Sequence, residues 1–496
     1  MERQTTPSTK LDCEWLEIPM TDIDDTDPDA KWICSVCVRE AFLSKEIQSS
    51  GEDAVCSYCG AHGPAFGLEA IAERIEQAFD DHYTRTASEP DAWETHLEAG
   101  YGWTRKGMVL NEAIQLAAGI DEAPATDVAE VLEDKHAPWD EKDSFGEEAP
   151  FSSTAHYERR SLSFIGLHLS WHDFEQSLKT KSRFFSRTAE DLLVRVFGGI
   201  DKLRTKDGRD LVVEIGPKTR LEHLYRARVF QSDDGLKDAL CRPDLRLGSP
   251  PAKSARAGRM NAHGISVFYG ALTPEVAVAE VRPPVGSRVV VARFDVVRRL
   301  RVLDLTALSD AHEEGSVFDP TFKDRLHRAD FLRSLDTRMA RPVMPDDEGI
   351  DYLPTQAVAD FLATTNDPPL DGILFESVQA DQGYNVVLFH GSAKVALEEL
   401  PKGAEISARS GFDTEEESAD GYFVEIAIPR QVAPTKEDDD PFGLFSDEAA
   451  FAIDDDRQDT LRVVLESVEV RHVKKATVST EVHAVQRHRV ERRDDR

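Results

Sequence analysis

Apolar residues recur every three to four positions over 68–79, where Leu68, Ile71, Ile75 and Phe79 are separated by Glu69, Glu73 and Glu76. That spacing puts the apolar side chains on one face of a helix and the acids on the other. A second helix is predicted over 188–197: Thr188 and Asp191 have capping-box spacing ahead of Leu192, Leu193, Val194, Val196 and Phe197, and Gly198-Gly199 stops it. The pattern then changes to short apolar runs of β character. These are Leu211-Val212-Val213-Glu214-Ile215, Val267-Phe268-Tyr269, Val289-Val290-Val291-Ala292, Leu303-Asp304-Leu305 and Val386-Val387-Leu388-Phe389. Short helices are expected over 274–280 and 355–363, and 461–465 with 468–471 read as a strand pair that completes the sheet. Short strands and helices mixed in this way imply an α+β domain with a curved or split sheet.

These patterns divide the chain into four regions. Residues 1–64 form an N-terminal tail and a cysteine-bearing ribbon, and 65–205 a mainly α-helical domain. Residues 211–400 form the α+β domain, and 401–496 carry acidic loops and the C-terminal strands. Within the helical region, 121–150 is rich in acid, alanine and proline, which predicts a partly ordered insertion or linker. The acidic runs at 413–420, 437–440 and 454–456 are expected to be solvated loops, and the basic end at 487–496 to fray.

Net charge limits the partners. The 93 acidic residues against 59 basic ones leave −34, so the average surface repels nucleic acid and anionic membranes, and an anionic ligand needs a local positive pocket. The chain has no run of eighteen apolar residues, and its first ten residues are polar with no apolar segment behind them. The expected location is therefore cytoplasmic, with no membrane partner.

Four of the six cysteines fall into two tight pairs, Cys34-Ser35-Val36-Cys37 and Cys56-Ser57-Tyr58-Cys59, with eighteen residues between them. Two such knuckles turn four thiolates toward one point, which suits tetrahedral zinc, and binding the metal would fold a segment too small to hold itself together. Four cysteines fill every coordination position, so the site reads as structural. His62 is a substitute ligand should one thiolate fall short, while Cys13 and Cys241 read as ordinary small residues.

Between Arg226 and Arg259, eight basic residues face four acidic ones, a local reversal in a strongly acidic chain. Arginine's planar fork suits bidentate contact with phosphate, so this stretch is the candidate for gripping a pyrophosphate. Around it runs an ordered series of motifs. Arg226 follows Leu224-Tyr225, and Arg259 stands in Gly258-Arg259-Met260-Asn261. Tyr269 ends Val267-Phe268-Tyr269, Glu280 ends Ala277-Val278-Ala279-Glu280, and Ser377 stands in Leu374-Phe375-Glu376-Ser377. This order resembles the RES domain family over roughly 215–400, and Asn385, Tyr352-Leu353-Pro354-Thr355-Gln356 and Asp371-Gly372-Ile373 also look like the family's later half. One departure is Met260, where the family usually has tryptophan; a packing contact is affected rather than a charge contact.

The resemblance implies a fold similar to ADP-ribosyltransferases and a reaction that consumes NAD+. Glu280 would stabilise the positive charge that builds on the ribose as nicotinamide leaves. Tyr269 would stack on the nicotinamide or bond its ribose, Arg226 and Arg259 would hold phosphates, and Ser377 would donate to a ribose hydroxyl or an acceptor phosphate. Asn385 joins the NAD+-binding set. Related RES enzymes use inorganic phosphate as acceptor, giving nicotinamide and ADP-ribose 1″-phosphate. Water would make the same site a glycohydrolase, and a protein side chain would make it an ADP-ribosyltransferase. The implied setting is a toxin-antitoxin or phage-defence effector with a cognate antitoxin or regulatory protein, its oligomeric state open.

The N-terminal half resembles the zinc-knuckle and HEPN-like segment that precedes some RES domains. HEPN ribonucleases place an arginine and a histidine about a helical turn apart; here seven residues separate Arg160 from His168, which speaks against RNA cleavage. The alternative reading is a zinc ribbon that binds nucleic acid or protein, beside a catalytically silent RES-like region. Gly100-Tyr101-Gly102 begins a dinucleotide fingerprint, but Arg105 occupies the third glycine position, and no phosphate-binding loop, metalloprotease or hydrolase motif is present.

Overall fold

The computed structural model describes residues 30–90, 103–137, 148–160, 165–340, 343–344, 346–380, 382–413, 418–429, 455–477 and 479–489. Cys13, Gly100-Tyr101-Gly102, the acidic run at 437–440 and residues 490–496 lie outside them. The chain forms two compact units, Met1–Ser161 with Gly315–Lys323, and Leu162–Glu314 with Asp324–Arg496.

In the first unit, β1 (Trp32–Cys34), β2 (Glu52–Val55) and β3 (His62–Gly67) form a sheet in the order β1-β3-β2, with the helix Ala41–Ser50 inserted after β1. The helix predicted over 68–79 is present as Leu68–His82, and Ile71, Ile75 and Phe79 are buried along its inner face. A second sheet, of β4 (Tyr83–Arg85), β5 (Met108–Val109) and β6 (His156–Arg159), adds short strands to a region expected to be mainly helical. Phe79 stacks on Tyr83 with ring centroids 4.4 Å apart and meets the Tyr157 ring edge-on at 5.0 Å. Phe318, from the Gly315–Lys323 segment, joins this core.

The reading of 121–150 as an insertion or linker is corrected here, because Glu122–Lys135 is a core helix that buries Pro124, Ala125, Val128 and Leu132. Proline is tolerated because it stands in the first turn, where no intrahelical partner awaits its missing N–H. Arg105 has a structural role: its guanidinium donates to both oxygens of Glu148, at 3.0 and 2.6 Å.

The second unit is built on an eight-stranded mixed sheet in the order β18-β11-β9-β10-β15-β14-β12-β8. Its strands are β8 (Val212–Ile215), β9 (His223–Phe230), β10 (Phe268–Ala271), β11 (Arg288–Val296), β12 (Leu300–Asp304), β14 (Gly372–Glu376), β15 (Tyr384–Leu388) and β18 (Leu461–His472). β12 and β14 run parallel and the other neighbours antiparallel. Alternation along each strand divides two cores between the faces, as period-two strand geometry requires. Val290, Phe294, Leu300, Val302, Val386 and Leu388 enter one core. Leu303, Ile373 and Val387 enter the other, together with residues of the helices Ile165–Thr180, Arg187–Phe197, Phe322–Ala340 and Leu353–Thr364. A small ladder pairs β7 (Arg204–Thr205) with β13 (Ala311–His312), and β16 (Glu405–Asp413) with β17 (Ser418–Ala427) form a separate hairpin.

Two local expectations are corrected. The cap of Arg187–Phe197 is Ser186, whose hydroxyl accepts from the Ala189 N–H at 3.3 Å, rather than Thr188. The expected strand pair at 461–471 is one strand, β18, paired along β11 with a bulge. The bulge leaves Ser467 to accept the Arg293 N–H at 2.9 Å. The helices Asp233–Cys241 and Phe322–Ala340 were not foreseen. Among the described residues, no helix is long and apolar enough to cross a membrane.

Candidate functional site

A cleft of about 400 Å³ opens in the second unit where β9, β10 and β15 meet the helix Pro274–Glu280. Arg226, Arg259, Tyr269, Glu280 and Asn385 all line it, so residues from five stretches of chain converge on one place.

Strand pairing does much of the positioning. Ala271 of β10 lies opposite both Tyr225 of β9 and Asn385 of β15. Thr273 caps the following helix by accepting the Val276 N–H, Pro274 suits its first turn, and Glu280 is its last residue. A carboxylate at a helix C-terminus faces the partial negative charge of the backbone, so its ionised form needs donors. Two are supplied: Ser377 Oγ donates to Glu280 Oε1 at 2.6 Å, and Asn385 Nδ2 donates to the same oxygen at 2.7 Å. Both belong to the β14–β15 hairpin, where the Ser377 N–H donates to the Gly383 carbonyl at 2.7 Å and the Gln379 N–H donates to Ser377 Oγ at 3.1 Å. Glu280 Oε2 has no hydrogen-bond partner among the described residues and remains available to a ligand.

Arg226 lies half-buried on β9. Its guanidinium sits over the Phe268 ring, 4.8 Å from the centroid, and donates to the Tyr269 carbonyl at 3.2 Å. Withdrawal from water, with Arg228 adding repulsion, pushes its pKa down to about 10, so it is still a cation at neutral pH. Arg259 donates to the Met339 carbonyl at 2.9 Å, and its guanidinium is 5.9 Å from the centre of the Tyr352 ring. Neither arginine has a carboxylate partner among the described residues, whereas Arg242 pairs with Asp244 at 2.8 Å and Arg246 with Asp238 at 2.6 Å. Of the eight basic residues of this stretch, Arg242 and Arg246 are thus held in ion pairs, while Arg226 and Arg259 line the cleft.

The Tyr269 hydroxyl is engaged by the protein itself. It accepts the Met260 N–H at 3.0 Å and donates to Asn261 Oδ1 at 3.1 Å, holding the 258–261 turn, and burial raises its pKa to about 12. The hydroxyl thus sets the turn that carries Arg259. A Cβ on Gly258 would come within 2.6 Å of Asn261 Oδ1 and 2.9 Å of the Tyr269 hydroxyl, so the glycine is required by close approach. Gln356 Nε2 donates to the Gly258 carbonyl at 2.8 Å, and Thr355 Oγ1 donates to the Arg259 carbonyl. Met260 is buried in the core, a packing role.

Sequence reasoning left out Tyr352, Glu348, Arg282 and Phe375 as cleft residues. The Tyr352-Leu353-Pro354-Thr355-Gln356 and Leu374-Phe375-Glu376-Ser377 segments carry the signal for Tyr352 and Phe375, and nothing in the local pattern marks Glu348 or Arg282.

The four cysteines of the first unit come together. Their sulfurs lie within 4.8 Å of one another, with Cys34 to Cys59 at 3.5 Å and Cys37 to Cys56 at 3.8 Å. Zinc–sulfur bonds of about 2.3 Å set tetrahedral sulfurs about 3.8 Å apart, so the donor set fits a structural zinc ion. The Cys34 N–H donates to Cys56 Sγ at 3.4 Å, as ligating thiolates require. His62 pairs instead with Asp53 at 3.2 Å. Arg160 lies in the first unit, where its N–H donates to the His82 carbonyl at 2.8 Å; His168 lies in the second, where its Nδ1 is 3.0 Å from an Arg338 nitrogen.

The α+β domain thus gathers in one cleft a strand arginine, a turn arginine and a donor-fixed carboxylate at a helix end, and neither arginine has a carboxylate partner among the described residues. Residues 224–409 match the RES domain, and residues 49–191 match HEPN/RES N-terminal domain 1. The chain therefore carries a RES domain with a HEPN-like segment ahead of it, and a RES domain points in general to an enzyme acting on NAD+. No curated protein and no solved structure matches the chain.

Proposed function

We propose that this protein cleaves the bond between nicotinamide and ribose in NAD+, acting as a toxin-type or phage-defence effector on a fold similar to ADP-ribosyltransferases. The observation that carries this reading is the Glu280 carboxylate, fixed through one oxygen by Ser377 and Asn385 and open at the other, in a cleft with two cations free of ion pairs. Arg226 and Arg259 bind the pyrophosphate, and Glu280 Oε2 stabilises the ribosyl cation as the neutral nicotinamide departs. Ser377 and Asn385 act as positioning residues for that carboxylate. Tyr269 shapes the turn carrying Arg259 and presents its ring to the cleft.

Inorganic phosphate is the acceptor favoured by the arginine-rich lining, giving ADP-ribose 1″-phosphate. The cysteine knuckle and the HEPN-like segment serve regulation or contact with a cognate antitoxin. Purified protein incubated with NAD+, with and without phosphate, should release nicotinamide faster with phosphate. Equal release in both conditions rules out phosphate as the main acceptor, and no release from folded, metal-loaded protein overturns the reading in favour of a silent binding module.

A further inference from the structure

The helices Ile165–Thr180 and Arg187–Phe197 are joined by a tip that carries Phe184 and Phe185. These residues are 79% and 104% exposed, so the second ring touches nothing in its own chain. No acid occurs between Glu175 and Glu190, and Lys181, Arg183 and Arg187 are exposed, without an ion pair among the described residues. Two bare aromatic rings flanked by three free cations are out of place on a chain of net charge −34.

The same unit has an apolar groove of about 400 Å³ that no described residue fills, with lining residues distinct from those of the arginine-lined cleft. Its walls come from the β16–β17 hairpin, β18 and the helix Asp233–Cys241. Ile406, Val424, Ile426 and Leu465 line it; Val424 and Ile426 are 47% and 44% exposed. Its single charged lining residue is Glu398, whose backbone N–H donates to Asp244 Oδ2 at 2.9 Å.

We infer that the Phe184-Phe185 tip of one copy of this chain inserts into the groove of a second copy, with the flanking cations facing Glu398. The complement is specific: aromatic surface without a cover on one side, apolar surface without a filler on the other, and opposite charges at the margins. A tip and a groove from different parts of the chain make a head-to-tail contact, which continues into larger assemblies or closes as a ring. Two phenylalanines bury on the order of 150–250 Å² each, well below the ~1,200 Å² of stable interfaces, so the association is weak and concentration-dependent.

Sedimentation velocity on the full chain tests this. From about 1 to about 100 µM, the range of weak interfaces, the wild type should shift progressively to faster-sedimenting species. Phe184→Ser/Phe185→Ser and Val424→Glu should each remain monomeric, as both alter exposed positions that leave the core intact. Mixing the two variants pairs an intact tip with an intact groove and should restore association that stops at a one-to-one dimer. A wild type that is monomeric throughout, single variants that associate like the wild type, or a mixture that fails to dimerise would each overturn the inference. So would a monomeric wild type that instead pellets with phosphatidylserine vesicles through Phe184 and Phe185.

Discussion

The cysteine knuckle and the arginine-lined cleft both gather polar groups from separate stretches, but they are held in different ways. The knuckle brings together four sulfurs from a span of 26 residues, on strands too short to form a core of their own. The cleft assembles Arg226, Arg259, Tyr269, Glu280 and Asn385 across a span of 160 residues, on a sheet with packed cores on both faces. Its side chains are oriented by direct hydrogen bonds. The knuckle's order should depend on an ion, whereas the cleft's depends on packing that is already in place.

The sharpest break between the two is metal removal. Structural zinc contributes about 10–16 kcal/mol in small knuckles, so a strong chelator or Cys56→Ser should expose 30–67 to limited proteolysis. Nicotinamide release should persist; its collapse in parallel would mean the cleft is not independently held. Next in size is Glu280→Ala, expected to lower kcat/KM by about 10²–10³ with an unchanged melting temperature, since this carboxylate is exposed. A melting point that fell with activity would assign Glu280 a structural role. Arg226→Gln would remove the proposed charge-assisted phosphate contact, worth about 1.5–3 kcal/mol, and should raise the KM for NAD+ by roughly ten- to a hundredfold, leaving kcat closer to wild type.

The smallest effect concerns Tyr269. Losing its two hydrogen bonds in Tyr269→Phe should cost about 1–3 kcal/mol by chemical denaturation. Its folded pKa is raised from the ordinary 10.0 to about 12, so the neutral hydroxyl's contribution is fully present below pH 10 and is lost as pH rises toward about 12. The wild type should therefore lose stability across that window with a steeper slope than Tyr269→Phe. Identical slopes would show that the 258–261 turn does not rely on the phenol proton.

Legibility followed the same division. The two C-x-x-C pairs state their geometry in four positions, and the helices Leu68–His82 and Pro274–Glu280 show an apolar stripe or a cap in local spacing. A local charge reversal marks the Arg226–Arg259 stretch, but the grouping of Arg226, Arg259 and Glu280 is recognisable only as an ordered series of family motifs, because the fold brings together segments whose pairing is not written in any one of them. Glu122–Lys135 was misread because alanine, acid and one proline suggest a linker when the proline's place in the first turn is unknown. Phe322–Ala340 escaped because charges interrupt its apolar stripe, although Phe331, Leu332, Leu335 and Met339 are buried. The engagement of the Tyr269 hydroxyl by its own chain depends on a turn eight to nine residues away, beyond what residue type conveys.

Gly315–Lys323 belongs to the unit otherwise made of the first 161 residues, and Phe318 is part of its core. During synthesis, the early part of the chain therefore cannot finish packing until more than 150 further residues have left the ribosome. A shortened gene ending near residue 161 would yield a product lacking one of its own core side chains, and a fragment beginning at 162 would carry that side chain with nowhere native to put it.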